Sequence, residues 1–227
     1  MKPDSQLPLD VSGLSPADRT RLEYDALTRQ LERMRAMQYA YNRKFFALLL
    51  VSTLVAGGLI VWDRWMGLLL VCFGLVTTGV TASFFLHFCD FARVHARAVE
   101  ARINVLLGRP VLIASELEAD YFYPHASPKF SGFSFERPSS FFSVYTLHFT
   151  AVWGGMVLWS SWRLKYEMDG GVWGLGFVIW CLWSGLHGLY LKWWFMESGS
   201  ETRMGRRLAE AYGLGHASVP PVSSRDA

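Results

Sequence analysis

No catalytic signature occurs in this chain. Gly-x-Ser-x-Gly, His-Glu-x-x-His, a phosphate-binding loop and a dinucleotide fingerprint are all missing. Hydrolase, zinc-protease and nucleotide chemistry therefore lack sequence support. Cysteine is scarce: Cys72, Cys89 and Cys181 include no Cys-x-x-Cys pair, so nothing suggests a disulfide framework. Asn-x-Ser/Thr does not occur. The net charge is only +3, and the arginines that are present are explained by membrane orientation, so no nucleic-acid partner is expected.

The most informative deficit is local. Four stretches carry no Asp, Glu or Arg: 45–62, 67–89 up to its last residues, 140–162 and 172–195. A bilayer-crossing helix needs about 20 predominantly apolar residues. Four such runs in 227 residues leave too little polar surface to cover them as buried core helices. The fold class expected is all-α, an integral membrane bundle of four transmembrane helices with a cytosolic antiparallel helical extension. The first 44 residues are polar and charged, so the run at 45–62 is expected to enter as an uncleaved anchor.

Lys and Arg set orientation through the short flanks. Arg29, Arg33, Arg35, Arg43 and Lys44 precede the first run, and Arg93, Arg97, Arg102 and Arg109 follow the second. Arg203, Arg206 and Arg207 follow the fourth, where arginines commonly meet anionic headgroups. The turn between the first two runs offers Arg64, and the next outer turn offers Arg163 and Lys165 against Glu167 and Asp169. Both termini are thus expected on the cytoplasmic side, in a bacterial inner membrane. Trp62, Trp65, Trp159, Trp162 and Trp173 mark one interface, and Trp193 and Trp194 the other.

Outside the runs, residues 1–14 read as loose. Ser15-Pro16 is a helix start, with a capping serine and proline at the first helical position. From there 15–44 reads as one amphipathic helix, with Tyr24, Leu27, Leu31, Met34, Gln38, Tyr41 and Phe45 stepping by three and four. Residues 90–108 continue the second run, with Phe84, His87, Phe91, Val94, Ala98, Ala101 and Val105 as the matching seam. Arg93, Arg97, Glu100 and Arg102 read as a solvated face. Gly108 and Pro110 stop that helix. The aromatic segment 109–139 reads as a connector on the membrane surface or against the hairpin, or as a plug beneath the bundle. Glu116, Glu118 and Asp120 in it signal little. The tail, 196–227, offers a short basic helix near 201–212 and then a disorder-type composition.

Histidine supplies the only candidate chemistry. His87, Cys89, Asp90 and His95 crowd nine positions, but only His87 and Asp90 share a helix face, so they form at most half a metal site. His148 and His187 lie about 12 Å inside their runs from the same end, on consecutive helices. Equal depth is what two axial haem ligands need. It also suits interhelical hydrogen bonding or a proton relay. Gly74–Thr78–Ala82, Thr150–Gly154 and Ser184–Gly188 are small-xxx-small steps of the kind that let helices approach.

The plan of a long charged helix running into a two-span hairpin resembles bacterial membrane effectors of the SLATT type. The resemblance lies in the plan alone and assigns no residue a role. The leading reading is a non-enzymatic multi-pass membrane component of pore, effector or partner-binding type. It would assemble through Leu27, Leu31, Met34, Ala98, Ala101, Gly154 and Gly188, with lipid and either itself or another protein as partners. The alternatives are a haem protein using His148 and His187, or a small-solute or proton transporter, although no midspan carboxylate is present.

Overall fold

The computed structural model describes residues 15–121, 129–130, 133–134, 141–192 and 200–214. Expectations for 1–14, for most of the aromatic connector, for Trp193 and Trp194 and for 215–227 lie outside the described residues. Among those described, the chain is helical except for a two-residue antiparallel ladder, Lys129 opposite Ser134 and Phe130 opposite Phe133. Three of its helices are long and apolar enough to cross a membrane.

Helix α1 (Pro16–Trp62) and helix α2 (Trp65–Leu107) form one antiparallel hairpin. At 1.5 Å per residue they are about 70 and 65 Å long. Ser15 caps α1, its Oγ accepting from the Asp18 backbone N–H, with Pro16 at the first helical position. Asp63 ends α1 in the left-handed region (φ 48°), which Asp tolerates better than most residues, and the chain turns at once into α2. Register is fixed along the whole length: Arg102 meets Glu23, Arg35 meets Glu100, and Cys89 meets Asn42.

The α1 face is the one its spacing predicts. Leu27, Met34, Gln38 and Phe45 are buried, and Leu31 packs against them. The α2 face differs from the expectation by two residues, which is close to the opposite side of the helix. Its buried line is Ala82, Leu86, Cys89, Ala92, Ala96, Val99 and Ile103, together with Arg93 and Glu100. Those two charges are therefore not a solvated face. Ala98 and Ala101 are only half-buried. The shift has a physical cause: α2 must serve several partners, and Arg93 and Glu100 find ion-pair partners that let them turn inward.

Gly108 ends α2 in the left-handed conformation that glycine alone adopts freely, its N–H bonding to Asn104 and Val105 carbonyls. The Asn104 amide then binds Val111 and Leu112 backbone groups and folds the chain back on itself. Helix α3 (Ala114–Tyr121), which the sequence reading did not anticipate, consequently lies against the hairpin.

Helix α4 (Phe141–Glu167) packs on α2 and α1, and helix α5 (Gly170–Lys192) packs on α2. The α4 face is built around Ser143, Trp153, Ser160 and Leu164, where two serines allow close approach. Trp153 donates from Nε1 to Thr53 at 2.8 Å, and Trp180 donates to the Cys72 carbonyl at 3.0 Å. With 27 residues α4 is long enough to cross a bilayer, but Ser, Thr, Tyr, Trp and His dilute its hydropathy below that of the other three. Helix α6 (Ser200–Ala211) returns to the charged half of α2.

Candidate functional site

The densest polar chemistry lies in the charged half of the hairpin. Arg35 of α1 is its node. Its guanidinium donates to Glu100 of α2 at 2.7 Å, to Glu118 of α3 at 2.6 Å, to Ser115 at 3.1 Å and to Gln38 at 3.3 Å. Gln38 in turn donates to the second oxygen of Glu118, and the Ser115 backbone N–H donates to the second oxygen of Glu100. Glu100 is only 4% exposed, and a carboxylate so placed demands partners. Burial opposes the charge on Arg35, but its bonds to Glu118 and Glu100 outweigh that and raise its pKa. The node closes α1, α2 and α3 around one charge. It binds the fold's own groups and has the character of a structural clamp.

A second cluster joins α2 to the C-terminal helix. The His95 Nε2 lies 2.7 Å from the Tyr212 hydroxyl and 3.4 Å from the Gln30 amide, while its Nδ1 is buried without a partner. Burial lowers the His95 pKa and raises that of Tyr212. Gly205 of α6 packs against Val94, whose Cγ1 lies 3.8 Å from where a Cβ would sit. Thus Val94, which the spacing placed on the seam facing α1, serves α6 instead, as does His95.

The histidines singled out within the apolar runs are not joined. His148 of α4 is exposed, its ring edge-on to Phe149. His187 of α5 is half-buried beside Trp183 and donates from Nδ1 to the Trp183 carbonyl at 2.8 Å. That bond fixes the ring and leaves Nε2 open, as an axial ligand would need. However, α4 and α5 make side-chain contact near their shared turn, through Ser161, Leu164, Trp173 and Trp180, and beyond it they pack against different residues of the hairpin. Tyr145 of α4 packs on Phe46 of α1, whereas Trp183 and Tyr190 of α5 pack on Phe73 and Phe84 of α2. No hydrogen bond or ring contact links His148 with His187 among the described residues.

Of the small-residue steps, Ala82 is buried, but Gly74, Gly154 and Gly188 would each meet nothing within 4 Å if given a Cβ. Within one chain these positions face open space. Asp90 pairs with Arg93 at 3.2 Å. No group of three metal-ligating side chains occurs among the described residues.

No family model, curated protein or solved structure matches the chain. Function must therefore be argued from the geometry alone.

Proposed function

We propose that the chain is a non-enzymatic multi-pass membrane component that holds a helical hairpin upright in the bilayer and presents its charged half, clamped by Arg35, to the cytoplasm. One observation carries this. The apolar helices expose rows of large apolar side chains: Leu50, Val51, Leu54 and Val55 of α1 and Leu182, Leu186 and Leu189 of α5 all face outward. In water such faces would drive aggregation, and in lipid they need no cover. The α4 helix completes a four-span arrangement in this reading, with both termini on the side of the Arg-rich flanks.

Self-association through the open small-residue faces at Gly154 and Gly188 is part of the proposal, because close helix approach is what such faces favour in lipid. Charging Leu27 or Met34 would not test it, since both are buried inside one hairpin. The variant Gly154→Leu/Gly188→Leu fits the open space within the chain. Mass measurement in mild detergent should give an oligomer for the parent and a smaller species for the variant. A monomeric parent would remove the assembly reading. Alkaline carbonate extraction tests the membrane reading itself: release into the soluble fraction would sink it.

The haem alternative rests on the anchored ring of His187. A visible spectrum of the oxidised and reduced protein decides it through the presence or absence of a band that shifts on reduction.

A further inference from the structure

Helix α6 is short and polar, and only one of its sides is packed. Its inner side is fixed by Gly205 against Val94 and by Tyr212 on His95, with Ala209 and Leu214 buried. Its outer side carries Arg203, Arg206 and Arg207, all exposed.

Depth along the hairpin locates that arginine face. The uncharged stretch of α2 ends at Cys89, and Val94 lies five residues further on, a rise of about 7.5 Å. The headgroup layer outside the hydrocarbon is about 5–8 Å thick on each side. Long arginine side chains can span the few ångströms between these depths. At the same end of the hairpin Arg43 and Lys44 of α1 are exposed next to the first apolar residue, Phe45. Among the described side chains two carboxylates share this level: Asp90 pairs with Arg93, and Glu210 is exposed on α6. Five exposed cations against one exposed carboxylate form a basic belt around the hairpin just outside the lipid.

We infer that the outer face of α6, through Arg203, Arg206 and Arg207, binds the phosphate headgroups of anionic phospholipid, so that one helix is held between the hairpin and the membrane surface. This rests on the membrane reading above. The partner is identified by charge complementarity: three exposed guanidinium groups match phosphates bidentately, and anionic leaflets attract basic segments next to spans.

The test uses the full chain in nanodiscs, one set of phosphatidylcholine and one of equal parts phosphatidylcholine and phosphatidylglycerol. Amide exchange of residues 203–211 is the readout. Protection in the anionic discs should rise by about tenfold or more, and high salt should reverse the gain. Arg203→Gln/Arg206→Gln/Arg207→Gln should abolish the lipid dependence while leaving the protection seen in neutral discs, because the packed side of α6 is untouched. Arg21→Gln/Arg29→Gln/Arg33→Gln removes the same charge from exposed positions far up the hairpin and should leave the lipid effect intact. Equal protection in both discs overturns the inference, as does loss of the effect in the distal control. A chain that enters neither kind of disc overturns the membrane reading first.

Discussion

The hairpin α1–α2 is one continuous pair of helices, yet its two halves obey opposite rules. In the half nearer the Asp63 turn, the outward faces carry Leu50, Leu54 and Val55, and the buried cluster is Leu49, Ala56, Val71 and Leu75. Apolar residues occupy both sides. Hydroxyls there are satisfied locally, as when Thr53 donates to Leu49 O and Thr78 to Gly74 O. In the half nearer the chain start, Leu27, Val99 and Ile103 are enclosed together with Gln38, Arg93 and Glu100, while Asp18, Arg21, Asp25, Arg29, Glu32 and Arg33 are exposed. The difference teaches that outward Leu and inward Glu have the same cause. Each group sits where its surroundings can solvate or pair it, and the surroundings change about halfway along the hairpin.

Breaking the clamp should give the largest effect. Arg35→Met leaves Glu100 buried and Glu118 unpaired and should cost about 3–5 kcal/mol, read as a large fall in thermal stability in detergent. Arg35→Met with Glu100→Leu should recover part of the loss, since no unpaired charge stays buried, while the Ser115 N–H loses its acceptor. A single variant that melts like the parent would make the node ornamental.

The comparison itself is sharpened by two leucines of similar exposure, Leu54 at 66% and Leu22 at 54%. Leu54→Arg places a charge mid-span and should cost about 2.5–3.5 kcal/mol of insertion, seen as reduced membrane integration. Leu22→Arg, in the charged half, should change stability by no more than about 0.5 kcal/mol. Equal responses would mean that the two halves share one solvent.

A smaller effect is expected at His95. Its pKa is lowered from 6.5 by burial, so the proton binds better once α6 lifts away. Docking of α6 should be complete above pH 6.5 and should weaken as pH falls below it. From α1 the ring faces the neutral Gln30, from the C-terminal segment Tyr212, and on its own helix Phe91; none of these supplies a compensating charge. Amide exchange across α6, corrected for intrinsic pH dependence, should show the change, and His95→Gln should flatten it.

The smallest effect is expected at the exposed turn, where Arg163 binds Asp63 at 2.6 Å and lowers its pKa. The contribution of this pair is present above pH 3.8 and fades as pH falls below it. Asp63→Asn keeps a residue that accepts the left-handed turn, so the melting temperature should fall slightly and the difference should vanish in high salt. A large fall would mean that this bridge, and not packing, holds α4 against the hairpin.

Much of the fold was legible because it depends on local pattern. The cap at Ser15, the stop at Gly108, the α1 seam from Leu27 to Phe45 and three apolar helices follow from residue type and spacing. The candidate sites were not. The Arg35 node draws on residues 65 and 83 positions away, and the His95–Tyr212 contact on residues 117 apart. Nothing in a single helix marks Glu118 as its partner.

The sequence by itself determined that three helices are long and apolar enough to cross a membrane, the length of the hairpin helices and the side of α1 that turns inward, because hydropathy and helical period act over a few residues. Only the tertiary structure decided that Arg93 and Glu100 face inward, that α3 and α6 fold back on α2, and that His148 and His187 sit on helices that pack against different residues of the hairpin. Ion pairing and packing join residues that are distant in the chain, so their outcome is set when helices meet.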